Sequence, residues 1–152
     1  MVNDLLCMDE LEINKLYPVP ADTQQQIKDF HQEVQAMPES IGASDDGVTH
    51  YVHGGMYARE MLMPAGMVII GKIYTQDHIC IVTKGVIDVI DSYGKRRVKA
   101  PITLTGKAGT QRVGITLEDT VWTTITATEL KEPEEIMNSI TTTDYKYFKD
   151  LL

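Results

Sequence analysis

Two cysteines in 152 residues, Cys7 and Cys80, are too few and too differently placed for a disulfide framework or a paired-cysteine zinc site. Their scarcity fits a reducing compartment, so a cytoplasmic location is expected. No apolar run approaches the roughly 20 residues that cross a bilayer as a helix, and no membrane partner is expected. The N-terminal MVNDLLCMDE is acidic and lacks the basic stretch that opens a secretory signal. Cations are few as well. Fourteen Lys and Arg face 22 Asp and Glu, giving a net charge of −8, which argues against binding a nucleic acid polymer. The chain also lacks a phosphate-cradling glycine loop with its lysine, and a Ser-His-Asp order.

What is there suits one domain, long enough to bury about 68–70% of its unfolded surface. The sequence divides into a helical arm and loop over 1–47, a β-rich barrel over 48–127 and a helical tail over 128–152. In the arm, Ile27, Phe30, Val34 and Met37 recur at spacings of three and four, which predicts one buried helical stripe over about 23–36, ended by Pro38. His31 flanks that stripe as a boundary residue. Residues 39–49 read as a loop. Strands are predicted near 57–63, 67–74, 78–83, 86–91, 96–104, 110–116 and 120–127. Short strands at this spacing favour a sandwich or barrel over βαβ units. LKEPEEIMNS reads as a short helix with Pro133 in its first turn. The tail aromatics Tyr145, Tyr147 and Phe148, with Leu151, are candidates to pack on the barrel or on a second subunit.

Charge is unevenly placed. Residues 66–115 hold 8 basic and 3 acidic residues, against 6 and 19 in the rest. Part of that excess is KRRVK, a solvated turn and edge strand. The positive stretch also contains Gly66-MVIIG-Lys72-I-Tyr74-TQD-His78-ICIVTK-Gly85. Its spacing resembles the first cupin motif, in which Gly, His, His, Glu and Gly stand at these intervals. Both glycines are kept, and Lys72, Tyr74 and His78 fill the three ligand slots. Lys107-Ala-Gly109-Thr-Gln-Arg112 resembles the second cupin motif less well, with Lys107 in place of its Pro, Pro101 in place of its first Gly, and Arg112 in the last ligand slot. The resemblance, over about 57–127, is to small phage-encoded single-domain cupins with a degenerate metal site. It implies a mainly β, cupin-type jelly-roll antiparallel barrel whose inward faces carry the site.

Side chains alternate along a strand. Lys72 with Tyr74, His78 with Cys80 and Val82, Arg112 with Gly114 and Thr116, and Trp122 with Thr124 and Thr126 are therefore four sets which, on that resemblance, line the lumen. Lysine and arginine offer no lone pair, so no metal and no other cofactor is expected. Cys80 reads as an ordinary buried cysteine. Lys72 and Arg112 instead suggest two cations in one cavity. Their compensation is expected either from Asp77, Glu60 or Asp119, or from an anionic ligand. Tyr74 and His78 would add hydrogen bonds and Trp122 a stacking face. His50 and His53 would face opposite sides of a strand and make no metal pair, and Arg59 and Glu60 likewise point apart.

The leading expectation is a metal-independent binder of a small anion (nucleotide, sugar phosphate or carboxylate) with no turnover. A phage origin would put it in the host bacterial cytoplasm, acting on a host molecule. One alternative is a metal-independent isomerase or lyase with His78 and Tyr74 as acid and base. Another is a phage structural or interaction protein that uses the barrel as scaffold, with a host protein as partner. A homodimer is expected in either case.

Overall fold

A computed structural model describes residues 25–29, 32, 36, 45–91 and 94–144. Residues 25–29 are helical, and Ile27 of the predicted stripe is buried. The other stripe residues, His31, and the tail aromatics lie outside the described residues. No helix among the described residues is long and apolar enough to cross a membrane.

Among the described residues eleven strands follow in order: β1 (Val48–His53), β2 (Met56–Met63), β3 (Val68–Ile70), β4 (Ile73–Tyr74), β5 (His78–Lys84), β6 (Val86–Asp91), β7 (Gly94–Lys99), β8 (Ile102–Gly106), β9 (Val113–Thr116), β10 (Thr120–Ala127) and β11 (Thr141–Thr142). One helix, α1 (Pro133–Ile140), precedes β11. The larger sheet runs β1-β2-β10-β5-β8 and the smaller β3-β9-β6-β7, with β11 and β4 as a separate pair. Every pairing is antiparallel. This is the mainly β jelly-roll expected.

Three details differ from the sequence reading. The predicted strand 67–74 is two strands, because the chain breaks at Gly71 and Lys72; Gly71 N–H bonds the Arg112 carbonyl. The predicted strand 96–104 is also two, parted at Ala100–Pro101, where proline has no N–H for a ladder. β1 and β11 lay outside the expected strands.

Alternation along β10 buries Thr120, Trp122, Thr124 and Thr126 on the inner face. The register then builds cross-sheet rows. Met61, Trp122, Val82 and Ile102 form one; Arg59, Thr124, Cys80 and Leu104 form the next. One apolar cluster surrounds Trp122, Val82, Met63, Ile87, Val89 and Val98. A second joins Tyr57 to Ile136 and Ile140 of α1, with Val52, Tyr74 and Met137 against it. Fully burying each such aliphatic side chain is worth about 1.5–3 kcal/mol.

α1 starts with Pro133 in its first turn, where no N–H is needed, and Glu134 and Glu135 complement its N-terminal dipole. Its far end is tied to the barrel: Thr75 N–H bonds the Ile140 carbonyl, and Thr141 and Thr142 pair with Tyr74 and Ile73. Gly66 and Gly85, the two motif glycines, both have positive φ (83° and 94°). A Cβ at Gly85 would also overlap Asp119 and Thr120.

Candidate functional site

Between the two apolar clusters lies a polar layer of the lumen, built from β2, β4, β5, β6, β10 and the residue ahead of β9. His78 opens β5 and is 5% exposed. Its ring lies against Gly106 of β8, its register partner, so closely that any Cβ there would overlap the imidazole. Its Nδ1 faces the Gln76 carbonyl at 3.1 Å and its Nε2 faces Arg112 Nη1 at 3.1 Å. A guanidinium only donates and a carbonyl only accepts, so the tautomer follows: Nδ1 carries the proton and Nε2 accepts. Burial is the main cause that holds the His78 pKa below its ordinary value; the Gln76 carbonyl opposes it and Arg112 adds to it. His78 is thus a neutral imidazole with both nitrogens engaged.

Arg112 is the hub of the layer. Its Nε donates to Asp91 Oδ2 at 3.2 Å and its Nη2 to the Thr105 carbonyl at 3.2 Å, and its Nη1 also lies 3.7 Å from Cys80 Sγ. The guanidinium carbon sits 5.9 Å from the Trp122 ring centre, a cation–π contact. Asp91 is fully buried and is also gripped end-on by Arg96, at 2.9 and 3.1 Å. Asp91 therefore compensates Arg112. The three acids expected in that role do otherwise: Asp77 accepts from Ala108 N–H, Asp119 accepts from Ala65 N–H, and Glu60 occupies the outer face of β2.

Tyr74 stacks on His78 with ring centres 4.2 Å apart. Burial raises its pKa, helped by Cys80 and opposed by Arg59, a Thr124 hydrogen bond and Arg112. Trp122 Nε1–H donates to Thr124 Oγ1 at 3.2 Å, and Cys80 Sγ lies 3.7 Å from the same oxygen. Four of the five predicted site residues, Tyr74, His78, Arg112 and Trp122, are thus brought together. Lys72 is not: it stands exposed in the break between β3 and β4, so alternation does not carry it to Tyr74's face. The expected pair of cations from Lys72 and Arg112 in one cavity does not form.

The lumen holds a different second cation. Arg59 shares the inner face of β2 with Tyr57, Met61 and Met63, directly across from Thr124. It is half-buried, and its charge acts on both Tyr57 and Tyr74. Its Nη1 donates to the Met61 thioether, a weak acceptor, and no carboxylate among the described residues is within ion-pair distance. One row further, Thr126 pairs in register with Tyr57; its Oγ1 is buried and has no hydrogen-bond partner. At the outer end of this region Tyr57 bonds His50 Nδ1 at 2.8 Å, and burial pushes its pKa up to about 12.

Among the described residues, no group of three or more His, Cys, Asp or Glu side chains is placed to hold a metal ion. His78, Cys80 and Asp91 converge instead on the Arg112 guanidinium.

Solved structures with this fold include KdgF from Halomonas sp. (TM-score 0.50, 17% identity, covering 61% of this chain and 87% of that one). Ectoine synthase from P. lautus matches with TM-score 0.51 and 9% identity, over 62% of this chain and 72% of that one. A cupin superfamily protein from Desulfitobacterium hafniense DCB-2 matches with TM-score 0.47 and 13% identity, over 61% and 90%. At these identities the likeness is one of fold, the cupin jelly-roll. No family model and no curated protein sequence matches the chain.

Proposed function

We propose that this protein is a metal-independent binder of a small anionic ligand, held in the polar layer of the lumen. Arg59 is its anchor, in place of the Lys72–Arg112 pair. One observation carries the reading: Arg112 and Arg96 are both held by Asp91, whereas Arg59 points inward and, among the described residues, has only the Met61 thioether as hydrogen-bond partner. Arg59 is half-buried, so its charge has lost part of its hydration, and an anion in the lumen offsets that loss. Tyr74 and the unpartnered Thr126 hydroxyl stand near as donors.

Metal independence follows in this proposal from Arg112, which brings a positive charge to the point that His78, Cys80 and Asp91 face. The acid–base alternative gains no support from the geometry. Tyr74 and His78 stack on each other, and both imidazole nitrogens are already bonded. The scaffold reading has one observation in its favour: the Trp122 side of the lumen is filled by the protein's own Arg112 network. The proposed setting is a bacterial cytoplasm, with a phage-encoded protein acting on a host molecule; it rests on the sequence resemblance.

A thermal-shift screen of nucleotides, sugar phosphates and small carboxylates tests the reading. Stabilisation by at least one anion, lost in Arg59→Gln, is expected. If no anion raises the melting temperature, the lumen is a packed interior and the scaffold reading replaces this one.

A further inference from the structure

We propose that the ligand class is a small monocarboxylate, gripped side-on by the Nε–Nη2 edge of Arg59. The inference rests on the anion-binding reading and narrows it.

The geometry of Arg59 supplies the fork. A guanidinium presents two parallel N–H groups along its Nε–Nη2 edge, matched to the two oxygens of a carboxylate. This protein uses that edge elsewhere: Arg97 Nε and Nη2 hold the two oxygens of Asp88 at 2.8 and 3.0 Å. In Arg59 the contact to Met61 employs Nη1, and no partner among the described residues takes the Nε–Nη2 edge. Arg59 is only half-buried although it points inward, so solvent reaches it.

Charge then selects the anion. A phosphate monoester carries about −1.5 to −2 at neutral pH. Arg59 neutralises one negative charge. The neighbouring groups do not neutralise a second: His78 is held neutral by its burial, Tyr57 and Tyr74 are neutral phenols, His50 across from Arg59 on β1 is turned to Tyr57 and Asp45, and Lys72 lies outside. Arg112 and Arg96 are turned to Asp91. The remaining charge of a dianion would sit beside buried aromatic rings uncompensated, which is costly. A carboxylate meets one cation with one charge. The Thr126 hydroxyl, buried and with no hydrogen-bond partner among the described residues, is a polar partner for one carboxylate oxygen.

The test titrates the intact protein with acetate, lactate and benzoate, and in parallel with inorganic phosphate and glycerol phosphate, at constant ionic strength. Melting temperature and the Arg59 Nε–H resonance are both followed. At least one monocarboxylate is expected to raise the melting temperature by several degrees and shift the Arg59 resonance in the wild type. Arg59→Lys, which keeps the charge but loses the fork, is expected to weaken binding at least tenfold, and Arg59→Gln to abolish it. If phosphate or glycerol phosphate binds through Arg59 and no carboxylate does, the monocarboxylate inference is overturned and the anion reading stands. If neither class binds, or if binding survives unchanged in Arg59→Gln, both fail. Should Arg59→Gln not fold, the wild-type Arg59 resonance alone decides between these outcomes.

Discussion

Asp91, at the end of β6, and Arg112, just ahead of β9, meet inside the barrel with Oδ2 and Nε 3.2 Å apart; the carboxylate is fully buried and the guanidinium side chain 12% exposed. This pair joins the smaller sheet to His78 and Thr105 of the larger one. Removing one member of a buried pair strands the other. Asp91→Asn leaves both Arg112 and Arg96 without their carboxylate and is expected to cost about 3–5 kcal/mol, measured by denaturant unfolding, whereas Arg112→Ala leaves Asp91 held by Arg96 and is expected to cost less. An Asp91→Asn cost under 1 kcal/mol would show that this carboxylate does not hold the sheets together.

Arg59 is expected to behave in the opposite way. Arg59→Met replaces a poorly compensated, inward-facing cation by an apolar side chain of similar length. The ligand-free protein should gain stability, by about 1 kcal/mol. A clear loss would mean that Arg59 is a structural residue and would count against its role as anchor.

Gly106→Ala should expel the His78 ring, because the added methyl occupies the same space as the imidazole. Overpacking of this kind costs about 1–3 kcal/mol. The His78 ring signals should also move toward a more ordinary titration as the ring leaves its buried site. Unchanged His78 signals in a folded Gly106→Ala protein would contradict the described contact.

Acid should weaken the fold through His78. Its folded pKa lies below the ordinary value of 6.5, so the unfolded chain takes up the proton first. The stability linked to this group is fully present above about pH 6.5 and is lost as pH falls toward the folded pKa. Unfolding free energies measured between pH 7.5 and 5 should fall, and the slope should lessen in His78→Asn. A flat profile in the wild type would show that the imidazole is not held neutral.

Oligomeric state is a separate expectation. A homodimer is proposed, and light scattering that returns the 17.0 kDa monomer at high micromolar concentration would reject it.

Much of the barrel was legible because alternation is strong where one face is packed. His78, Cys80 and Val82 on β5, and Trp122, Thr124 and Thr126 on β10, all face inward as their spacing required. Two inward-facing charged residues were missed for a reason visible in the same pattern. Asp91 shares its face with Ile87 and Val89, both core residues, and that row was the signal for a buried carboxylate. Arg59 lies in the row of Tyr57, Met61 and Met63, but Met56 and Leu62 make the other face of β2 apolar too, so neither face stood out. Lys72 was misplaced because the strand was read through Gly71, where the chain turns away to bond Arg112. β11 is two residues whose pairing with β4 lies nearly 70 positions back; no local pattern announces it.

The place of β10 between β2 and β5 has a consequence for how the chain folds as it is synthesised. β2 and β5 emerge from the ribosome well before the strand that separates them, and direct pairing between them would close the sheet in the wrong order. The central strand of the larger sheet arrives only with residues 120–127, and α1 and β11 later still. Until then β2 and β5 present unpaired edges, a template for pairing with other chains. Threonine at four of the eight positions of β10, with the Trp122–Thr124 hydrogen bond, makes the late strand polar enough to wait in water and specific enough to enter in one register.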